Sequence, residues 1–159
     1  GTNDGVPRVW QGGKSHFGYR VHVGVDQGSG IIRRLAFAPA HVNESSVADA
    51  LICGDEKAVY ADKGYENKKR RRALKERGIK DRIMHRSHKN QVELPRWQQR
   101  RNALIAPRRA PVERVFGNFK RLYGRARVRY FQFRHNLADL HRLATIYNLR
   151  RAASLLATT

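Results

Sequence analysis

Asp62 and Glu113 are the carboxylates whose setting could do chemistry. Asp62 follows the apolar run Ala58-Val59-Tyr60-Ala61 and precedes Lys63-Gly64. A carboxylate just past the C-terminal end of a buried strand sits where open α/β sheets present functional groups. The competing reading is a turn Asp with a local hydrogen bond. Glu113 stands at the start of an amphipathic run in which Val112, Val115, Phe116, Phe119, Leu122 and Tyr123 recur at helical spacing. At about 100° per residue, Glu113 lies about 100° from Val112 and Lys120 about 80°. Both edge the apolar face, with Gly117 between them leaving room for close approach. A carboxylate and an ammonium so placed suit a metal-bound phosphate. The simpler reading of Glu113 is an exposed acid favoured near a helix N-terminus. Hard cations such as Mg²⁺ take oxygen ligands from a few carboxylates plus substrate phosphate, and two-metal phosphoryl transfer needs several carboxylates. Asp62 and Glu113 match the type.

The elements that must position them follow from pattern. Residues 1–15 hold several Gly and a Pro, and read as an irregular lead-in. Tyr19, Val21, Val23 and Val25 alternate with Gly18, Arg20, His22 and Gly24, the period of a half-buried strand. Residues 16–26 and 31–38 therefore form a hairpin about Asp26-Gln27-Gly28-Ser29-Gly30. Residues 45–52 predict a short helix, 58–61 a strand, 67–77 a helix ending near Gly78, and 81–84 another strand. Residues 85–100 are polar and basic with little periodicity, a loop with at most one helical piece. Pro111 opens the strongest helix, since its missing N–H would be unpaired there anyway. A basic bridge over 125–134 leads to a last helix over 136–156. This is an α/β layout with an initial antiparallel hairpin.

Composition narrows the partner. The chain has 159 residues, with 33 Lys+Arg against 13 Asp+Glu, a net charge of +20. One domain of this size with 40% hydrophobic residues can bury a core, which excludes a wholly disordered basic tail. The charge calls for a polyanion, DNA or RNA. Cys53 is the single cysteine, so an intrachain disulfide and a multi-cysteine zinc site are excluded. The reading is a small core residue in a reducing compartment, the cytoplasm. No apolar run approaches a membrane span.

Three segments carry a resemblance. They are Lys14-Ser15-His16-Phe17-Gly18-Tyr19-Arg20-Val21-His22-Val23-Gly24-Val25-Asp26, then Ala61-Asp62-Lys63-Gly64-Tyr65, then Val112-Glu113-Arg114-Val115-Phe116-Gly117. In this order they closely resemble bacterial insertion-sequence transposases of the insertion-sequence-five group, within the insertion-sequence-four superfamily. The match runs from about Lys14 to Leu155.

The resemblance implies an RNase H-like core with a triad of two Asp and a Glu, here Asp62 as the second Asp and Glu113 as the Glu. It implies Mg²⁺ or Mn²⁺ at both, strand cleavage and transfer at the ends of a mobile element, a homo-oligomer when active, and a bacterial, nucleoid-associated location. The superfamily carries Tyr, Arg, Glu and Lys around the Glu. Arg109 and Lys120 match the Arg and Lys, while Ala106 departs from the Tyr. Pro111 is placed to break the helix between Arg109 and Glu113. The first triad Asp belongs to a first core strand upstream of the hairpin. Asp26 sits in the hairpin turn and Asp4 in the lead-in, and neither replaces it. Residues 16–159 are thus expected to be a partial RNase H-like domain with C-terminal helices. Its central strand and first Asp are expected on an upstream segment, and the sheet is expected to be split. DNA phosphates would meet Lys68, Lys69 and Arg70, the 96–101 stretch, and Arg125, Arg127 and Arg129. Tyr130, Phe131 and Phe133 would either stack on bases or pack under the final helix. A non-catalytic DNA-binding remnant and an RNA-binding basic protein are the rival readings.

Overall fold

The structure, a computed structural model, describes residues 8–11, 14–87, 93–122, 124, 130 and 132–158, with the first two strands described by their backbone alone. Tyr123, Arg125, Arg127, Arg129 and Phe131 lie outside the described residues. Strands β1 (Arg8–Gln11) and β2 (Lys14–Phe17) form an antiparallel pair. The expected irregular lead-in therefore carries a strand, and the long first strand read over 16–26 begins only at Tyr19.

β3 (Tyr19–Val25) and β4 (Ile32–Pro39) make the expected hairpin. Asp26 stabilises its turn, accepting from Ser29 N–H and Ser29 Oγ, each at 2.7 Å. Val21 pairs with Phe37, Val23 with Leu35 and, across a register shift, Val25 with Ile32. The shift sets an extra residue in β4 and so keeps Ile32 on the apolar face. That face packs on α4 (Ala110–Arg121) and α5 (Phe133–Leu156), with Val115, Phe119, Leu140, Leu143, Ala144 and Tyr147 buried between them. Polar contacts fix α5 on the hairpin. The Asn148 side chain accepts from Ile32 N–H at 2.8 Å and donates to Ile32 O at 2.9 Å. Arg151 Nε donates to Ser29 O at 2.6 Å.

A second core lies around the parallel pair β5 (Ala58–Ala61) and β6 (Lys80–Ile83), joined by α2 (Lys68–Glu76). Leu74, Ile79 and Ile83 are its buried centre, with Val59, Ala61 and Tyr65 against them. Asn67 caps α2 by accepting from Lys69 and Arg70 N–H, and Gly78 follows it at φ +70°, the left-handed conformation that glycine adopts without strain. α1 (Glu44–Val47) runs into a 3₁₀ turn, Ala48–Leu51, before β5.

The helical piece expected within residues 85–100 is α3 (Arg96–Ile105), which begins at Arg96 and continues beyond the segment. Only Ile105 of this helix is buried, so it shows little of the periodicity that a buried stripe creates. Pro111 stands in the first turn of α4, as expected, but the break expected there is absent. A 3₁₀ turn, Ala106–Arg109, joins α3 directly to Ala110. Pro107 and Pro111 each lack the N–H that an α-helical bond needs; the chain tightens there and carries on.

The architecture is mixed α/β, with three two-stranded sheets among the described residues and helices at the C-terminus. Among the described residues β3 is laddered to β4 and β5 to β6, and no ladder joins the two pairs. Both β3 and β5 line one cleft of about 930 Å³. Among the described residues, no helix is long and apolar enough to cross a membrane.

Candidate active site

β5 ends at Ala61 and delivers Asp62 to the cleft. The Asp62 side chain caps a short 3₁₀ turn, Lys63–Tyr65, by accepting from Lys63 N–H at 2.7 Å. Its other carboxylate oxygen is turned to a cation, Asp62 Oδ2 lying 3.7 Å from Arg109 Nη2. The 3₁₀ turn before α4 brings Arg109 to the cleft, so the proline-rich junction joins Arg109 to Asp62 rather than separating it. The Glu44 carboxylate lies against the open face of Gly64.

Beneath Asp62 lies a pair that periodicity alone does not mark. His22 is buried, and its Nδ1 is 2.7 Å from Tyr65 Oη with the rings edge to face. Among the described residues, His22 Nε2 is buried without a hydrogen-bond partner. Both residues line the cleft with Glu44 and Asp62. Burial, then the Glu44 and Asp62 carboxylates, push the Tyr65 phenol up to about 12, so it stays protonated at neutral pH. Burial lowers His22 below its ordinary 6.5, and burial followed by the Arg71 charge lowers His85. The available signal for this pair was local: both residues fall inside the segments that carry the resemblance, and His22 alternates onto the face opposite the valines.

The lowered histidines set a pH dependence. A histidine depressed in the fold binds fewer protons than in the unfolded chain, so its stabilisation is present above about 6.5 and is lost as pH falls through the folded value. The thermal midpoint is expected to hold above about pH 6.5 and to fall as the pH drops below it. His22→Gln should flatten part of that slope. A series of calorimetric scans across this range checks it, and a midpoint insensitive to pH there contradicts it.

The other site residues stand apart. Glu113 and Lys120 are exposed on α4, with no hydrogen bond or ion pair among the described residues, and Glu113 is not part of the cleft lining. The placement at the edge of the apolar face gives way to full exposure, because the stripe centres on Val115 and Phe119 rather than on Val112. Lys68 and Lys69 are exposed on the first turn of α2. Arg70 is not: its side chain is 3% exposed and it pairs with Asp49 at 2.6 Å. It also donates to Tyr65 O at 2.5 Å and to Ser45 O. Arg70 is a structural clamp, and the expectation that it meets DNA is corrected. Helical spacing carried the clue, since Arg70 lies one turn before the buried Leu74.

The oxygen chemistry of Asp62 fits a hard divalent cation, but the number of donors does not. Among the described residues, the group of three ligands close enough to share an ion is Cys53, Asp55 and Glu56, which does not include Asp62. Arg33 already occupies those carboxylates, 2.7 Å from Asp55 and 3.8 Å from Glu56. Cys53 itself is half-buried, with Arg34 Nε 3.4 Å from its Sγ.

A strand-end carboxylate held by an arginine, in a cleft between two sheets, is now joined by comparison with known proteins. Residues 2–149 match the family model of the transposase DDE domain. The chain belongs to that family. It is 34% identical over 151 residues to the transposase for insertion sequence element IS1106 of Neisseria meningitidis serogroup B. That alignment covers 94% of this chain and 52% of the relative, so the chain spans about half its relative's length. No solved structure matches it significantly. Transposases of this family generally use divalent metal ions, which agrees in kind with the Asp62 carboxylate.

Proposed function

We propose that this chain forms most of an RNase H-like catalytic domain, of the insertion-sequence-five group, that cleaves and transfers DNA strands at the ends of a mobile element. The observation that carries the reading is the approach of Arg109 to Asp62 at the end of β5, in a family of DDE transposases. Asp62 and Glu113 would hold Mg²⁺ or Mn²⁺ with a further carboxylate. That ion, when bound, supplies Lewis-acid stabilisation of the charge developing on phosphate. Arg109 acts as a positioning residue that keeps the Asp62 carboxylate turned into the cleft. Lys120 meets a DNA phosphate. Lys68, Lys69, Arg125, Arg127 and Arg129 neutralise the backbone, which makes affinity fall steeply with salt.

The further carboxylate and the missing strand are assigned to a segment beyond this chain, seated between β3 and β5. The support is that, among the described residues, each strand has one ladder partner and both line the same cleft; an unpaired strand edge is a ready template for another strand. A homo-oligomer in the active complex belongs to the same proposal. The shortage of metal donors around Asp62 favours one second reading, a DNA-binding remnant that no longer cleaves.

The test mixes the 159-residue chain with an upstream segment that ends in a strand and an Asp, and assays Mg²⁺-dependent nicking of duplex DNA carrying the element's ends. Nicking only by the mixture is the expected result. Nicking by the chain alone overturns the shared site. Tight DNA binding with no nicking by the mixture overturns catalysis and leaves the remnant.

A further inference from the structure

A second concavity, of about 700 Å³, adjoins the cleft at Tyr60 and Arg108. Five arginines line it: Arg82, Arg96, Arg100, Arg101 and Arg108. Between them are flat and apolar groups, Tyr60, Trp97 and Leu104. Trp97 is 60% exposed and Leu104 77%, an expensive way to display two large apolar side chains unless something covers them. The indole is held at one edge by His85, with ring centroids 5.1 Å apart, which leaves much of the ring to the solvent.

The arginines are not consumed by the protein. Among the described residues, Arg82, Arg96, Arg100 and Arg108 have no ion-pair partner. Arg101 is anchored, donating from Nη2 to Asp81 O at 2.7 Å, yet its Nε is buried with no acceptor. A ligand for this site must offer several anionic oxygens and a flat, largely apolar face. A nucleotide has both.

We propose that this pocket holds an unpaired nucleotide of the DNA strand, its base against Trp97 and its phosphates among the arginines. The inference rests on the transposase reading and deepens it. Tyr60 and Arg108 line this pocket and the Asp62 cleft alike, so a strand seated here continues directly towards Asp62. A duplex keeps its bases stacked inside and cannot offer a free base face to an indole, whereas each unpaired base can.

The test uses the full 159-residue chain carrying Trp10→Phe, which leaves Trp97 as the single tryptophan of the two. Its fluorescence is titrated at matched salt with a short oligothymidine, with an oligomer of equal length whose sites are abasic, and with duplex DNA. Base stacking on an aromatic is worth about a tenfold change in affinity. The oligothymidine is expected to quench Trp97 and bind about tenfold tighter than the abasic oligomer. In a second protein retaining Trp10, Trp97→Ala should erase that difference and Trp97→Phe should keep most of it, both followed by anisotropy of labelled DNA. Equal binding of oligothymidine and abasic oligomer overturns the pocket while leaving a phosphate-binding surface and the transposase reading intact. Tighter binding of the matching RNA overturns it in favour of an RNA site. Failure of every DNA to bind at low salt overturns both the pocket and the transposase reading.

Discussion

Asp62→Asn is expected to lower strand cleavage by the completed domain by on the order of 10³-fold, with the thermal midpoint unchanged. The two halves of that expectation come from the two roles of one side chain. Asparagine keeps an oxygen that can accept from Lys63 N–H, the bond that closes the turn after β5 at 2.7 Å. Asp62 is also partly open, with 38% of its side chain exposed, so no buried charge is left uncompensated. What the substitution removes is the charge. A carboxylate that holds a cation at a phosphoryl-transfer site accounts for several kcal/mol of transition-state stabilisation, and about 4 kcal/mol corresponds to about 10³ in rate. Arg109→Gln separates holding from positioning. It removes the 3.7 Å contact without touching the carboxylate, and should cost about tenfold in rate with a shift in the metal concentration needed for half-maximal cleavage. Measuring nicking against Mg²⁺ concentration for both variants checks the pair of expectations. Full activity of Asp62→Asn contradicts the assignment of Asp62.

How far these positions were legible depends on what each one needs. Strand β5 reads directly from Ala58 to Ala61 because four apolar residues end at an Asp and a Gly, and the structure has the same limits. Helix α2 reads to within a residue because its ends are marked by a capping Asn67 and by Gly78. The hairpin reads from the alternation of valines with polar residues. Helix α3 does not, because most of it faces the solvent and just Ile105 is buried; its arginines and Trp97 looked like loop composition. The site shows the same division. Asp62 is visible as a strand-end carboxylate, a local fact. The Asp62–Arg109 contact spans the chain and depends on two prolines acting as a tightened turn rather than a stop. His22 and Tyr65 meet through a hairpin strand and a 3₁₀ turn far apart in sequence, and nothing in the spacing of either predicts the other. The first triad carboxylate was not assigned to any residue here, and around Asp62 the described residues supply no ligand group of three.

Arg70→Ala is expected to destabilise the domain by about 3 kcal/mol while leaving the salt dependence of DNA binding unchanged. The guanidinium is buried and ties three elements together. It reaches Asp49 in the 3₁₀ turn after α1, Tyr65 O beside the Asp62 turn, and Ser45 O in α1. Truncation strips donors from two backbone carbonyls, each costing about 1–3 kcal/mol when left unsatisfied away from water, and opens a void next to Leu74. Asp49 adds little to the loss, because its side chain is 71% exposed and water can replace the arginine. A lysine cannot substitute, since a single ammonium lacks the planar fork that serves carbonyls and carboxylate at once. For a domain of this length, about 3 kcal/mol lowers the thermal midpoint by roughly 6–12 °C. The neighbouring Lys69→Ala gives the opposite signature: a stable protein whose dependence of affinity on salt is shallower by about one counterion. Lys69 and Arg70 are adjacent on one basic run, yet the helix turns one outward and the other into the core. Thermal melts and salt titrations of both variants separate the roles. An Arg70→Ala protein as stable as the parent but weaker on DNA would return Arg70 to the nucleic-acid surface.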